Sequence, residues 1–483
     1  MPASGETQTQ APSTPSAPVD GSAPQDAFGK VETRGIDHVP EDERHGRPFE
    51  LFPVWLSSNV GYLYILLGGS LSVLGLSAAQ AFAVLFLGSL FWGLVGFLAV
   101  SGPASGTPSQ VVTRALFGIR GNRIFGAALQ WLVAVTYEGI NLALGALAGF
   151  SLLDSVGLHP AVWIKVALTV MIGVAAFALS LYGHATIVRF SVLFCVLLGV
   201  CGLLLGGFVT QHASLHPAHF TALHGHDLWA AALIGFALIA SAPLSWSNGA
   251  DYARYLPRDV SKWKVALSTA AGGFLPSVVM GGIGILAGTA VDMSDPQNAM
   301  RAIVPGWFYT IFLTVIVVST VANNVMTTYS SGLALQAIGV RMSRSRSVLI
   351  DAVLGGALCA YALLSPSFLT SLNNILALTV TFLGPLLAIY ATDIVLRRNR
   401  YDGLALHQEQ PGAPFWYRRG YRPAGIIALV TGTVVALLFV DTTLFVGPGT
   451  SALGGLDLSA LLGPLTAAAV YCLLGKNRET ARP

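Results

Sequence analysis

Polar side chains stand in two places where the surrounding run leaves them little water. In "FGAALQWLVAVTYEGINLALGALAGF", Glu138 lies close to the middle, flanked by Tyr137 and Asn141. Tyr137 and Asn141 are four residues apart and share one helix face. A carboxylate at that depth in a bilayer is costly unless paired or wetted, which makes Glu138 a functional candidate by position alone. It would accept hydrogen bonds from an amino-bearing substrate or carry a coupling proton; a structural bond to a neighbouring helix is the alternative. The second place is "VIVVSTVANNVMTTYSSGLALQAIG", where Asn323 and Asn324 sit among Ser319, Thr320, Thr327, Thr328, Ser330 and Ser331. An amide both donates and accepts, which suits the mixed edge of a nucleobase. The hydroxyls alone would also serve close helix packing in lipid.

Interrupted apolar runs supply the elements that must position these groups. "SAPLSWSNGADYARYLP" follows "LWAAALIGFALIA" and puts Pro243, three serines and Asn248-Gly249 inside a span that is long enough to cross a membrane. Pro243 removes a backbone donor and the Asn-Gly pair weakens the helix further. Backbone freed in this way is tolerated only where protein or a water-filled cavity covers it, which favours a functional reason, with a simple proline kink as the alternative. The first span, "PVWLSSNVGYLYILLGGS", carries Ser57, Ser58, Asn59 and Gly61 in the same relative place. Paired interruptions in two five-helix halves point to an inverted-repeat secondary transporter with its site at the midplane.

Composition agrees. The chain has 483 residues, 54% hydrophobic and 10% charged, with mean hydropathy +0.67, against about 25% charged residues in soluble domains. Twelve apolar runs, near 51–75, 78–100, 124–152, 161–182, 187–208, 228–250, 265–290, 303–330, 348–364, 371–396, 423–441 and 457–475, are each read as a membrane helix. The expected fold is therefore an all-α membrane protein of twelve transmembrane helices. Residues 48–396 would form a ten-helix transport core of five-plus-five inverted repeats with broken helices 1 and 6. Residues 397–422 would be a cytoplasmic loop, 423–475 would add helices 11 and 12, and 476–483 a cytoplasmic tail. Residues 1–47, rich in Pro, Ser, Ala and Gln, read as a disordered cytoplasmic tail without a cleavable signal. With both termini inside, only Lys165 and Arg301 of 26 Lys and Arg fall outside, a positive-inside pattern for a multi-pass plasma-membrane protein.

The net charge of +3 then reports topology and excludes a nucleic-acid partner. Cys195, Cys201, Cys359 and Cys472 are scattered in apolar runs and read as small core residues. The outer loop "QHASLHPAHFTALHGHD" holds five of ten histidines. A membrane metalloprotein using that loop, residues 212–226, is the alternative of another class, although a solvated loop is the plainer reading. No Walker-type loop supports an ATP-driven mechanism, no filter-like repeat supports a channel, and no cofactor or metal is expected.

"ADYARYLP", "ANNVMTTYSSGLALQ", "SGTPSQVVTRALFGIRGNR" and "WLSSNVGY" resemble, in order, motifs of the nucleobase:cation symporter family, purine-cytosine permease branch. The resemblance implies a leucine-transporter-type core importing a purine, pyrimidine or related heterocycle, such as cytosine, with a monovalent cation, and no enzyme activity. It implies that Tyr137, in place of a common tryptophan, stacks the ring and that Asn141 and Asn323 read its edge. Asn324, Asn59 and Ser241 stand beside them. Trp246 is the second stacking group, though a stricter register puts Ala242 there. Glu138 replaces a usually neutral residue and implies a more basic, amine-bearing substrate; Thr327 stands where another amide is common. In sodium-driven members helix-eight hydroxyls and helix-one carbonyls bind the ion, which here points to Ser319, Thr320 and the backbone at Gly61. Na+ and H+ both remain open as coupling ion.

Overall fold

Uncharged runs of Leu, Val, Ile, Ala and Phe form long helices in the computed structural model, which describes residues 35–182, 184–214, 223–294, 296–340, 342, 344–364 and 368–479. The rest of the predicted amino-terminal tail and the extreme carboxyl terminus lie outside the described residues. In chain order, α1 (Leu51–Asn59) and α2 (Tyr62–Val73) form a bent pair. The span Ala78–Ser105 is α3. A π-helical stretch, Asn122–Ala127, leads into α4 (Ala128–Ser155). Then come α5 (Val162–Ser180), α6 (His184–His212), α7 (Gly225–Leu244) and the short α8 (Gly249–Ala253). The remainder is α9 (Lys262–Gly288), α10 (Gly306–Ile338), α11 (Arg344–Leu364), α12 (Phe368–Leu396), α13 (Pro423–Leu438) and α14 (Ser459–Glu479).

Among the described residues nine helices are long and apolar enough to cross a membrane, ten when the bent pair counts as one span. The helices α13 and Ser459–Gly475 are shorter apolar elements. They pack on each other and on α12, at the side of the bundle.

The two interruptions have local causes. Between α1 and α2 the axis turns by 60°. Gly61 is extended there (φ −137°, ψ 162°). Asn59 braces the corner, its amide donating to the Trp55 carbonyl (2.7 Å) and accepting from the Tyr64 hydroxyl (3.1 Å). In the other span the helix runs past Pro243 to Leu244 and unwinds over residues 245–248. The proline fits inside the last turn because the bonds from Ser245 N to Ser241 O (3.0 Å) and Trp246 N to Pro243 O (3.1 Å) close it. The unwound backbone therefore lies just beyond Pro243 and carries Ser245, Trp246, Ser247 and Asn248.

Helices cross closely where side chains are absent. A Cβ on Gly68 of α2 would collide with the Gly281 carbonyl of α9, so this pair of backbones meets only through glycine.

One expectation changes. Residues 35–47, assigned from composition to a structureless tail, pack on the body: Val39 is fully buried and its N–H bonds to the Gly106 carbonyl (2.9 Å), while Arg44 bonds to the carbonyls of Val39 and Pro103. Composition misleads here because the segment borrows its partners from the body instead of burying a face of its own.

Candidate functional site

Four residues of α4 at helical spacing, Gln130, Ala134, Tyr137 and Asn141, define one face. The first three line a small cavity together with Val133, Gln110, Trp246, Asn248, Thr327 and Ser330. Its volume of about 30 Å³ accommodates a water or two, each needing about 10–15 Å³. Trp246 stands on the unwound stretch after α7 and meets Trp55 of α1 edge to face at 5.3 Å. Trp55 in turn contacts Trp92 and Tyr252 at 5.6 and 5.7 Å, which fixes the aromatic wall. Ala242 is buried away from this lining.

Beside the cavity runs a chain of polar groups. Asn141 Nδ2 donates to Asn323 Oδ1 (2.8 Å), and Asn323 Nδ2 donates to the Ser58 carbonyl (2.7 Å) just before the α1–α2 bend. The Thr327 hydroxyl donates to the Asn323 carbonyl (3.1 Å) and approaches its Oδ1 (3.3 Å). Asn248 Nδ2 donates to Ser330 Oγ (2.6 Å), and the Ser247 hydroxyl donates to Gln130 Oε1 (3.1 Å). Three helices and both interruptions thus converge on one set of donors and acceptors.

Of the residues expected from sequence, Tyr137, Asn141, Trp246 and Asn323 come together here. Ser241 contributes its carbonyl, which accepts from the Tyr137 hydroxyl at 3.4 Å, while its own hydroxyl turns back on α7. Asn59 is spent on the corner between α1 and α2. Glu138 faces elsewhere: it is fully buried against Gly355 of α11 and does not line the cavity. Asn324 goes with it, donating to the Glu138 carbonyl (3.3 Å). The support that Glu138 lent to an amine-bearing substrate is lost with that orientation.

The cation candidates divide as well. Gly61 and Ser319 line a second small cavity with Val60 and Tyr62. Thr320 does not join them, because its side chain packs over Gly145 of α4. Neighbours on a helix point about 100° apart, so Ser319 and Thr320 cannot both face α1. The histidine loop is partly outside the described residues, His216 and His219 included; His212 bonds to the Phe208 carbonyl and His226 to that of Gly454. Among the described residues no three His, Cys, Asp or Glu gather at a metal-binding distance.

Gln110 and Gln130 were not anticipated, and Ser247, Asn248 and Ser330 stood out only as members of the interrupted and hydroxyl-rich runs. Gln130 had a readable signal, since it precedes Tyr137 by seven residues on the same face; Gln110 had none, because it reaches the cavity from the short helix Ser109–Val112. Gln110 is fixed by Asp251, whose carboxylate accepts from Gln110 Nε2 and from the Ser109 N–H, both at 2.9 Å.

A helical bundle with a sharply bent first span and a polar cavity between interrupted helices is a membrane transporter fold. The chain overlays on Mhp1, a nucleobase-cation-symport-1 family transporter in a closed conformation with bromovinylhydantoin bound, at TM-score 0.74 and 19% identity, covering 94% of this chain and 97% of that one. A Na+-coupled sialic acid symporter follows at TM-score 0.59 and 10% identity, covering 92% and 91%. In sequence, YxlA of Bacillus subtilis is 26% identical over 478 residues, 94% of this chain and 98% of that protein. The purine-cytosine permease fcyB of Emericella nidulans is 24% identical over 470 residues, 92% and 88%. Residues 38–463 match the family described as permease for cytosine/purines, uracil, thiamine, allantoin. The chain belongs to that family, the nucleobase:cation symporters, and is a permease rather than an enzyme.

Proposed function

We propose that the chain is a secondary active transporter that imports a purine, pyrimidine or related heterocycle, such as cytosine, together with Na+ or H+ by alternating access. The observation that carries this is the chain from Asn141 through Asn323 to the Ser58 carbonyl, running beside an aromatic wall. Amides at the edge and aromatic rings at the face are what a flat heterocycle requires. In this reading Tyr137 and Trp246 stack the ring, and Asn141 and Asn323 read its edge once it displaces their mutual bond. Thr327, Gln130 and Asn248 complete the polar lining. The two interrupted spans correspond as the first helices of a five-plus-five inverted repeat. The ten spans and the two shorter apolar helices make twelve crossings, with both termini on the cytoplasmic side of the plasma membrane. Carbonyls near Gly61 and the Ser319 hydroxyl are the oxygens available to a hard cation at the bend.

The test is uptake of radiolabelled cytosine, adenine, hypoxanthine, uracil and allantoin into cells expressing the chain, alongside Asn141→Ala. Saturable uptake of at least one, lost in the variant, is expected. Membrane-inserted protein that takes up none of them overturns the substrate class.

A further inference from the structure

Behind the substrate cavity lies a second polar cluster that the transport site does not use. Glu138 of α4 and Asp351 of α11 are fully buried, and Glu138 packs against Gly355, one turn from Asp351 on α11. Asp351 Oδ1 accepts from Trp131 Nε1 (2.9 Å), but Asp351 Oδ2 and both Glu138 oxygens have no hydrogen-bond partner. From α10 come three more buried, unsatisfied oxygens: Thr328 Oγ1, directed at Glu138, Ser331 Oγ, directed at Asp351, and Asn324 Oδ1. None of the three side chains is exposed to any extent. The groups facing the pair are Trp131 from α4, Asn324, Thr328 and Ser331 from α10 and Gly355 from α11; among the described residues no Lys, Arg or His pairs with either acid.

Two like charges buried without a cation cannot both persist. Of the six unsatisfied oxygens, the Thr328 and Ser331 hydroxyls carry protons of their own, but three carboxyl oxygens and Asn324 Oδ1 only accept when the acids are ionised, so two donors face four acceptors and a further proton or a cation is required. A proton meets that need without further ligands, and the packing brings the acids' helices together: a Cβ on Gly355, one turn from Asp351 on α11, would lie 3.4 Å from the Glu138 Cβ and 3.6 Å from its Oε2.

We propose that Glu138 and Asp351 form the site of the coupling proton, separate from the cavity lined by Tyr137 and Trp246. The proposal rests on the symport reading above and specifies its ion. Each cluster residue on α4 and α10 directly follows a residue of the substrate site: Glu138 follows Tyr137, Asn324 follows Asn323, Thr328 follows Thr327 and Ser331 follows Ser330. Rotation of either helix that rearranges the cavity must therefore rearrange the cluster, and the converse holds for a proton arriving between the acids. Asp351 lies seven residues from the start of α11 at Arg344, about 10 Å along the axis, and offers the shallower exchange point.

The experiment uses the full chain reconstituted in liposomes, wild type beside Glu138→Gln and Asp351→Asn, with the heterocycle panel above as substrates. An inward gradient of one pH unit without Na+ should support about tenfold accumulation by wild type at one proton per substrate, with pyranine reporting proton entry. Both variants should lose the accumulation and the proton signal while still exchanging labelled for unlabelled substrate. Accumulation that requires Na+, or that survives in both variants, overturns the proposal. Absence of any exchange by wild type overturns the transport reading instead. The acid pair is then read directly by infrared titration of the purified protein: a protonated-carboxyl band missing from Glu138→Gln supports a proton site, and no such band in wild type refutes it.

Discussion

Two adjacent stripes of α10 carry almost the same chemistry and meet opposite surroundings. Asn323, Thr327 and Ser330 follow one line along the helix; Asn324, Thr328 and Ser331 follow the next, about 100° around the axis. On the first stripe each polar side chain has a partner: Asn323 bridges Asn141 and Ser58, Thr327 bonds back to Asn323, and Ser330 receives Asn248. On the second, the oxygens of all three side chains are buried and unsatisfied. The difference lies in what the neighbouring helices bring. The first stripe faces amides and unwound backbone, which can both donate and accept; the second faces carboxyls, which when ionised only accept and so offer Asn324 Oδ1 no donor. On the reading proposed above, one side of α10 exchanges partners with a ligand and the other takes up a proton.

The largest expected effect comes from cutting the first stripe at its centre. Asn323→Ala removes three hydrogen bonds from the set that joins α1, α4 and α10. It should weaken heterocycle binding on the order of 100-fold, the equivalent of about 2–3 kcal/mol for an edge-reading amide. Equilibrium binding of labelled substrate to purified protein measures it. An affinity within a few-fold of wild type would show that the satisfied stripe is structural and would remove the distinction between the two faces.

Next in size is the aromatic wall opposite that stripe. Trp246→Ala should reduce affinity about tenfold or more, since stacking on one aromatic side chain is worth about 1–3 kcal/mol per base, whereas Trp246→Phe should retain most of it. Equal losses in both variants would mean that Trp246 acts by packing on Trp55 rather than by stacking a ligand. Substrate titrations followed by tryptophan quenching in a background that keeps Trp55 distinguish the cases.

Much of this arrangement was legible in the chain. Apolar run length located most helix ends to within about five residues, because lipid demands continuous intrahelical bonding, while α10 runs further than expected, to Ile338. The spacing of Tyr137 and Asn141 placed them on one face, and the interruption after Pro243 exposed Trp246. What periodicity could not supply was the partner of each face. Tyr137 and Glu138 are neighbours in sequence, yet one meets the cavity and the other meets α11, and only the packing of a helix more than two hundred residues later decides which. Ser319 and Thr320 divide in the same way. Asn59 looked like a ligand and serves as a brace because a bent corner consumes hydrogen bonds of its own.

The smallest effect is the sharpest discriminator, because it makes the same substitution at neighbouring positions. Thr→Val keeps volume and removes a hydroxyl. At Thr327 that hydroxyl donates to Asn323, so Thr327→Val should cost about 1 kcal/mol of stability, visible as a lower thermal midpoint of the purified protein. At Thr328 the hydroxyl oxygen is buried without a partner, and exchanging an unsatisfied polar group for an isosteric apolar one is nearly neutral or stabilising. Thr328→Val should therefore leave the midpoint unchanged or raise it. If Thr328→Val is instead the more destabilising of the two, the hydroxyl is already bonded to Glu138 in the folded protein. The second stripe would then be a satisfied structural network, and the two faces of α10 would differ in geometry but not in function.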